Sequence, residues 1–203
     1  MQISQMQFKV VFLFLFLGST NVFGQLASKP EEISPLLIGE QIPELGLTNA
    51  NGQKVNLKNL ASTQPTILIF FRGGWCPYCN KHLAEVGEIE SKIKALGYQI
   101  IAISPDQSSK LAEAASKQKL GYQLLSDSAC HFASKMGIAY QAPNHYLKTI
   151  NESSGGLNTK ALPVPALFVL DKNGAILFEH INPDFKKRIS ANYLLSVLEG
   201  LKD

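Results

Sequence analysis

Two cysteines separated by two residues follow directly on a long apolar run, and no other feature constrains the fold as strongly. The run, PTILIFF at residues 65–71, is rich in β-branched and aromatic residues, which is typical of a central strand covered on both faces. Cys76 and Cys79 come next, and apolar residues then recur with a helical period over residues 77–96, up to Gly97. The sequence therefore predicts a strand that leads straight into a helix, with both thiols in the first helical turn.

Strand and helix patterns alternate along the next part of the chain. Residues 98–106 predict a second buried strand, and an amphipathic stretch after it predicts a helix that ends at Gly121. Residues 122–127 predict a short strand, and a short helix follows, capped by Ser128 and closed by Gly137. This β-α-β-α order favours parallel pairing of the strands.

Asn-Gly pairs mark two hairpins. Residues 42–57 predict two short strands around the pair at 51–52, and residues 164–181 predict two strands joined at the pair at 173–174. In such a pair both residues supply the positive φ angles that tight hairpin turns need.

The remaining segments complete one domain. Residues 139–162 predict mainly irregular chain, with a helical turn or two at residues 143–150, and a last helix follows Ser190 as its cap. We therefore predict an α/β fold with a mixed central sheet flanked by helices and an N-terminal hairpin.

The first residues have the layout of a secretory signal peptide. Lys9 precedes an apolar run at residues 10–17, and a small-residue site follows before Gln25. The run is far shorter than the roughly 20 apolar residues that a membrane-spanning helix needs. We expect cleavage, no stable membrane anchor afterwards, and an exported protein that is periplasmic or secreted. The predicted segments are a signal peptide (1–24), a polar lead-in (25–37) and one domain (38–203).

Composition narrows the classes of function. The formal net charge of +3 is small for 203 residues and is spread along the chain, so no basic stripe indicates nucleic acid as a partner. The three cysteines, Cys76, Cys79 and Cys130, are not a disulfide framework, because an odd number leaves one thiol over. In a compartment where disulfides persist, such a set indicates chemistry rather than architecture.

The position of Cys76 favours a reactive thiolate. Unpaired N–H groups and the dipole at a helix start stabilise an anion, and helix starts, basic neighbours and C-x-x-C pairs lower a cysteine pKa from about 8.5. Arg72 and Lys81 add positive charge nearby. We expect Cys76 to be exposed and to attack, and Cys79 to be more buried, less acidic and able to resolve the product as an internal disulfide.

Two other interpretations of the pair stay open. A purely structural disulfide is one, although a bridge across so short a loop removes little entropy from the unfolded chain. A zinc site is the other, with His82, Cys130 and His131 as further ligands, although no second ligand pair has a recognisable zinc spacing.

Other residues near the pair have ordinary explanations as well as functional ones. Trp75 is expected to shield the sulfur and offer partner contact, or to pack. A lone histidine on a helix, such as His82, more often faces solvent than shuttles protons, and Cys130 is more often a small buried residue than a resolving thiol. Residues 186–188, KKR, are interpreted as a solvated face.

Residues 69–83, IFFRGGWCPYCNKHL, resemble the strand, tryptophan, C-x-x-C and helix of the thioredoxin superfamily. VPA at residues 164–166 resembles the cis-proline segment of that superfamily, which faces the active site and holds a partner chain in extended form. The resemblance implies a thioredoxin fold in which Pro165 is the cis-proline.

Four further segments are similar to the peroxiredoxin-like branch of the AhpC/TSA family, and the resemblance covers almost all of residues 38–201. They are IAISPD, LLSD, LPVPALFVLDKNG and INPDFKKRIS. The resemblance implies that Cys76 is the peroxidatic cysteine, which a hydroperoxide oxidises to a sulfenic acid. It also implies a resolving thiol, for which Cys79 is the nearest candidate and Cys130 the reserve.

The sequence departs from the peroxiredoxin pattern at three positions. Ile69 and Gly73 stand where the family has proline and a threonine or serine, and the later arginine of the family has no counterpart in LPVPA. Arg72 is the candidate that supplies positive charge to the sulfur from another direction.

The family resemblance implies a thiol-dependent peroxidase that reduces hydroperoxides with electrons from a thioredoxin-like donor and needs no cofactor. The C-x-x-C pair and Pro165 favour an alternative, an exported thiol:disulfide oxidoreductase that acts on protein disulfides. A redox-inactive binding or zinc-holding module is the non-enzymatic alternative, and a metal assay on the reduced protein separates it from the other two.

Overall fold

A mixed sheet forms the centre of residues 26–202, which are the residues that the computed structural model describes. The strands are β1 (Gly46–Asn49), β2 (Lys54–Asn56), β3 (Thr66–Phe70), β4 (Gln99–Ser104), β5 (Gln123–Ser126), β6 (Ala139–Gln141), β7 (Ala161–Pro163), β8 (Ala166–Leu170) and β9 (Ile176–Ile181). The helices are α1 (Leu57–Ala61), α2 (Pro77–Glu88), α3 (Glu90–Ala95), α4 (Ser108–Gln118), α5 (His131–Lys135), α6 (Leu147–Ser153) and α7 (Ala191–Gly200), with short 3-10 turns at Pro30–Glu32 and Asn144–Tyr146.

Seven strands share the main sheet in the order β2-β1-β5-β4-β3-β8-β9. β3 runs parallel to β4, and β4 parallel to β5, whereas β8 is antiparallel to β3 and to β9. β6 and β7 form a separate antiparallel pair. The predicted mixed sheet flanked by helices is confirmed, and so are its parallel core and both hairpins.

The sheet separates two apolar cores, because neighbouring residues of a strand face opposite sides. Ile67 and Ile69 of β3 lie in the core that α2, α3, α4 and α7 cover. Leu68 and Phe70 lie in the core that α1 and α5 cover. All five residues of β3 are buried, as the continuous apolar run predicts.

Several predicted boundaries are wrong because tertiary contacts determine the ends of elements. The helix predicted over residues 77–96 breaks at Ile89 (φ −103°, ψ 5°) into α2 and α3. α4 ends at a left-handed Lys119 (φ 52°) rather than at Gly121. At the first hairpin only Gly52 has a positive φ, and Asn51 does not.

The cap of α5 is also different from the predicted one. The carboxylate of Asp127, not the hydroxyl of Ser128, accepts hydrogen bonds from the N–H groups of Phe132 (3.0 Å) and Ala133 (2.8 Å). Cys130, at the N-cap position, has a φ of 56°. The closing glycine, Gly137, has the positive φ that its position predicts.

Residues 139–162 are more regular than predicted. They contain β6, the 3-10 turn at Asn144–Tyr146, α6 and most of β7, and the longest irregular segment lies between α6 and β7. There Asn158 replaces regular pairing: its side-chain oxygen accepts from the N–H of Ala161 (2.9 Å) and its amide donates to the Ala161 carbonyl (2.8 Å).

The predicted signal peptide, residues 1–24, lies outside the described residues and stays a prediction. The lead-in contains the short turn at Pro30–Glu32. Within residues 26–202, no helix has the length and apolar character needed to cross a bilayer.

Candidate active site

The cysteine pair lies where β3 passes into α2, as the sequence predicts. Cys76 is the N-cap of α2, and Pro77 occupies the first helical position, where its missing N–H costs nothing. The Cys76 carbonyl accepts hydrogen bonds from the N–H groups of Cys79 (3.1 Å) and Asn80 (3.0 Å). Both thiols are therefore in the first turn of one helix.

Both sulfurs are buried, so the prediction that Cys76 is exposed is wrong. Cys76 is 2% exposed and Cys79 is 1% exposed, and both belong to the apolar core that contains Phe71 and Leu83. All three cysteines of the chain are free thiols in this structure. A reactant must therefore approach through a narrow opening or displace a side chain to reach Cys76.

The two thiols differ in acidity, in the predicted direction. The pKa of Cys76 is lowered to about 6, and the largest cause is the hydrogen bond that the Cys79 thiol donates to the Cys76 sulfur. The Cys79 N–H and the charges of Arg72 and Arg188 lower this pKa further, whereas burial raises it. Burial raises the pKa of Cys79 well above its usual value, and the neighbouring Cys76 sulfur adds to that. At pH 7 Cys76 is a thiolate and Cys79 is a thiol.

Arg72 is oriented by aromatic rings from distant parts of the chain. Its guanidinium carbon lies 4.2 Å from the ring centroid of Tyr146, 4.3 Å from that of Phe185 and 5.0 Å from that of Trp75. The side chain is buried, and its Nε and Nη2 atoms have no hydrogen-bond partner among the described residues. The sequence left the direction of Arg72 open, and the structure places its charge where it lowers the pKa of Cys76.

Arg188 is a second cation at the pair, and sequence reasoning missed it. Its Nη2 lies 3.6 Å from the Cys79 Sγ, and its Nη1 donates to the carbonyl oxygens of Phe185 and Lys187. The interpretation of residues 186–188 as a solvated face is correct for the exposed Lys186 and Lys187 but wrong for Arg188. The feature of the sequence that could have indicated this is the apolar pair Phe185 and Ile189, which flanks residues 186–188 and packs the segment against the protein.

Lys81 does not contribute to the site. Its side chain is 77% exposed and pairs with Glu85 at 3.8 Å, on the solvent side of α2. The prediction that it adds charge near the sulfur is wrong, because the residue faces away from the core.

His82 is buried, so the prediction that it faces solvent is wrong. It is 5% exposed, and burial lowers its pKa to about 4, assisted by the charge of Arg188 and by His180. His82, His180, Arg188 and Pro165 line a small cavity of about 10 Å³. The Nε2 atoms of both histidines lack hydrogen-bond partners within the described residues.

Pro165 is not a cis-proline in this structure. The described part of the chain contains no cis peptide bond, so that prediction is wrong. The Val164 N–H donates to the Ile138 carbonyl at 2.8 Å, and residues 164–165 join β7 to β8. A trans bond is the form that X-Pro pairs prefer, by about 0.5–1 kcal/mol.

Trp75 packs on Arg72 and also explains why residue 73 is glycine. Gly73 has a φ of 150°, and a Cβ there would collide with Trp75 Nε1, lie 2.7 Å from Trp75 Cδ1 and lie 2.8 Å from Asp106 Oδ1. The hydroxyl-bearing residue of the family has no room at this position while Trp75 and Asp106 stay in place.

Asp106 holds the loop before Cys76. Its Oδ2 accepts a hydrogen bond from the Gly74 N–H at 2.6 Å, across 32 residues of sequence. Burial raises the pKa of this carboxyl. Asp106 and Trp75 also line a pocket of about 290 Å³ between α2, α4 and α6, whereas Cys76 does not line it. The sequence signal for Asp106 was its place at the carboxyl end of β4.

Cys130 is separated from the pair by the sheet. It is 0% exposed and packs with Phe132 and Met136 in the core on the opposite face from Cys76 and Cys79. Burial raises the pKa of its thiol well above the usual value. The structure therefore contradicts Cys130 as the reserve resolving thiol.

The residues considered as zinc ligands are not brought together either. Cys130 and His131 lie at the start of α5, on the other side of the sheet from Cys76, Cys79 and His82. Among residues 26–202, no group of three or more His, Cys, Asp or Glu side chains is placed to hold a metal ion.

The chain is similar to known proteins over most of its length. The model of the AhpC/TSA family matches residues 38–178. The thiol-disulfide oxidoreductase ResA of Bacillus cereus is 25% identical over 181 residues, which are 88% of this chain and 89% of that protein. Peroxiredoxin Bcp of Escherichia coli is 25% identical over 171 residues, which are 84% of this chain and 99% of that protein.

Solved peroxiredoxin structures share the fold. Peroxidoxin BcpB from Mycobacterium tuberculosis superposes with a TM-score of 0.65 at 20% identity, over 82% of this chain and 98% of that one. Reduced Prx3 in complex with H2O2 from Vibrio vulnificus superposes with a TM-score of 0.69 at 16% identity, over 80% of this chain and 99% of that one. The predicted thioredoxin fold is thereby confirmed. The chain belongs to the AhpC/TSA family and is a thiol-based oxidoreductase of its peroxiredoxin-like branch.

Proposed function

We propose that the protein is a thiol-dependent peroxidase that reduces hydroperoxides through Cys76 and Cys79, with electrons from a thioredoxin-like donor. One observation carries the proposal: Cys76, with a pKa lowered to about 6, is a thiolate beside a protonated Cys79 and the charge of Arg72. The match to peroxiredoxin Bcp over 84% of the chain supports it.

In the first step the Cys76 thiolate attacks one peroxide oxygen. The O–O bond breaks, Cys76 becomes a sulfenic acid, and the other oxygen leaves as an alkoxide or hydroxide that takes up a proton. Negative charge moves from sulfur to the leaving oxygen. A fixed guanidinium such as Arg72, with two unpaired nitrogens, stabilises charge during such a step better than mobile water does.

In the second step Cys79 resolves the sulfenic acid. Its sulfur attacks the Cys76 sulfur, the S–O bond breaks, and one water leaves as the Cys76–Cys79 disulfide forms. Cys79 is three residues from Cys76 in the same helical turn, so resolution needs no partner chain. A donor dithiol then reduces the disulfide and restores both thiols.

A second candidate function is thiol:disulfide exchange on protein disulfides. The absence of a hydroxyl at Gly73 favours it, because the peroxiredoxin pattern uses that group beside the sulfur. The 25% identity to thiol-disulfide oxidoreductase ResA over 88% of the chain supports it as well. Both candidate functions use the same Cys76–Cys79 cycle.

Stopped-flow mixing separates the two functions. The reduced protein is mixed with hydrogen peroxide and, in a second experiment, with a disulfide-bonded protein, while the fluorescence of Trp75, the single tryptophan, is followed. A fast change with peroxide that yields a Cys76–Cys79 bridge by mass spectrometry is the expected result. A fast change only with the disulfide substrate overturns the peroxidase proposal in favour of the second candidate.

Variants of both cysteines and of Arg72, with an exposed lysine as the control, test the roles within the site. Cys79→Ser should accumulate a Cys76 sulfenic acid that dimedone traps, whereas Cys76→Ser should give no reaction with peroxide. Arg72→Met removes the charge but fills the space between the rings, and it should slow the peroxide step. Lys81→Met, which removes an exposed lysine one turn away, is the control and should react like the wild type.

We also propose that the protein is exported, on the basis of the signal-peptide pattern in residues 1–24. The intact mass of the protein recovered from cell fractions tests this. A mature chain that begins near Gln25 and is absent from the cytoplasm is expected, and an uncleaved cytoplasmic chain would contradict it.

A further inference from the structure

The segment after β9 places one side chain on the resolving cysteine. Arg188 is half-buried, and its Nη2 lies 3.6 Å from the Cys79 Sγ, which is 109 residues away in sequence. The opposite nitrogen, Nη1, is held by the carbonyl oxygens of Phe185 and Lys187. The guanidinium is thus fixed by the backbone on one side and directed at sulfur on the other.

Cys79 otherwise has surroundings that oppose a charge on its sulfur. It is 1% exposed in an apolar core, and the adjacent Cys76 is itself an anion at pH 7. The facing histidines, His82 and His180, line the cavity next to Arg188, and burial lowers the pKa of each. Burial thus disfavours the charged form of both histidines, and Arg188 is the cation that the structure places in contact with this sulfur.

We propose that Arg188 is a catalytic residue of the Cys79 half of the redox cycle: its guanidinium stabilises the negative charge on the Cys79 sulfur when the Cys76–Cys79 disulfide forms and when it breaks. Nothing in the C-x-x-C motif or in the AhpC/TSA match, which ends at residue 178, assigns this role.

The charge on Cys79 arises in both directions of the cycle. During reduction, a donor thiolate attacks the Cys76 sulfur, the S–S bond breaks, and Cys79 leaves with the electron pair as a thiolate that is then protonated. During resolution, the Cys79 thiol gives up its proton and attacks the Cys76 sulfenic acid, whose oxygen leaves as water. A leaving thiolate of lower pKa departs faster, and a charge-assisted hydrogen bond to sulfur lowers that pKa.

The charges of Arg72 and Arg188 both lower the pKa of Cys76. Arg188 in addition contacts the Cys79 sulfur, with Nη2 at 3.6 Å, and this is the sulfur that closes and opens the disulfide. This inference rests on the proposed cysteine cycle but requires only a Cys76–Cys79 disulfide, and both candidate functions form one.

The test uses reduction of the preformed disulfide, which involves no peroxide. The full chain is oxidised with diamide, and its reduction by excess dithiothreitol is followed by Trp75 fluorescence from pH 6 to 9. Arg188→Gln should slow this reduction by about tenfold, the loss expected for one hydrogen bond to a charged group. Arg188→Lys, which keeps a cation, should recover part of the rate. Lys186→Gln, which changes an exposed lysine two residues away, should match the wild type.

A second measurement separates catalysis from folding. Alkylation of Cys76 by iodoacetamide in the reduced protein reports the integrity of the site, and its rate in Arg188→Gln should change much less than the reduction rate. Equal rates of disulfide reduction in Arg188→Gln and the wild type would overturn the proposal. An equal slowing of alkylation and reduction would also overturn it, because Arg188 would then act on the whole site rather than on Cys79. Neither measurement uses peroxide, so both remain valid tests of the role of Arg188 even if the protein does not react with peroxide.

Discussion

The hydrogen bond between Cys79 and Cys76 is the largest cause of the lowered Cys76 pKa of about 6. Replacing the donor should therefore raise that pKa. Cys79→Ala removes the S–H, whereas Cys79→Ser keeps a hydroxyl donor, so the pKa of Cys76 should rise more in the alanine variant than in the serine variant. The rate of iodoacetamide alkylation measures this, because only the thiolate reacts.

The sign of the pH dependence follows from the direction of the shift. In the wild type the alkylation rate should fall as the pH drops through about 6 and stay near its maximum above pH 7. In Cys79→Ala the same fall should occur at higher pH, so that the rate at pH 7 is lower. Cys130→Ala, on the other face of the sheet, is the control. If the alkylation rate of Cys79→Ala has the same pH midpoint as that of the wild type, the hydrogen bond from Cys79 does not lower the pKa of Cys76.

Gly73 provides a second prediction for a single residue. Gly73→Thr restores the side chain that the family has at this position, but its Cβ would collide with Trp75 and lie 2.8 Å from Asp106 Oδ1 at a φ of 150°. We expect a loss of about 1–3 kcal/mol in the free energy of unfolding, measured in urea, and no gain in peroxide rate.

The matched control for that substitution is Gly46→Thr. Gly46 lies in β1 with open space around its Cβ position, so threonine there should change the free energy of unfolding by less than about 0.5 kcal/mol. A Gly73→Thr variant as stable as the wild type, with faster peroxide turnover, would mean that Trp75 can move aside and that the site accepts the family's hydroxyl.

At the scale of elements, apolar patterns together with the two Asn-Gly pairs predicted the strands of the main sheet and the sites of the larger helices, because these patterns report which residues are buried and where the chain turns. They did not predict where the helices end. The cap of α5 comes from Asp127 rather than Ser128, and the break at Ile89 divides one predicted helix into α2 and α3. Caps and breaks depend on side chains and packing that periodicity does not report.

The end of α4 leads to a prediction of its own. Lys119 has a φ of 52°, a left-handed conformation that costs a non-glycine residue about 1 kcal/mol. Lys119→Gly should therefore raise the free energy of unfolding by about 0.5–1 kcal/mol. Lys117→Gly, two residues earlier inside the same helix, should lower it by about 1 kcal/mol. Both lysines are exposed, and urea unfolding of the two variants measures the expected gain and loss in the free energy of unfolding. A Lys119→Gly variant that is less stable than the wild type would contradict the argument.

At the scale of the whole molecule, the sequence predicted the half of the site that is local in the chain. Cys76, Cys79 and the helix start lie within a few residues of each other, so their geometry follows from one strand-to-helix junction. Arg188 contacts Cys79, which is 109 residues away in sequence. Arg72 is oriented by Tyr146, in the 3-10 turn before α6, and by Phe185, in the segment between β9 and α7. Such contacts depend on topology, which a motif does not encode.

The same topology determines which thiols can pair. Cys130 is fully buried in the core opposite Cys76 and Cys79, so a Cys76–Cys130 bridge would require the sheet to open. After one equivalent of peroxide, we expect a Cys76–Cys79 disulfide, with Cys130 still a thiol that iodoacetamide modifies only after unfolding. Cys130→Ala should turn over at the wild-type rate, although loss of buried volume should cost about 1–2 kcal/mol of stability. Peptide mapping that finds Cys130 bridged to Cys76 in the folded protein would refute this arrangement.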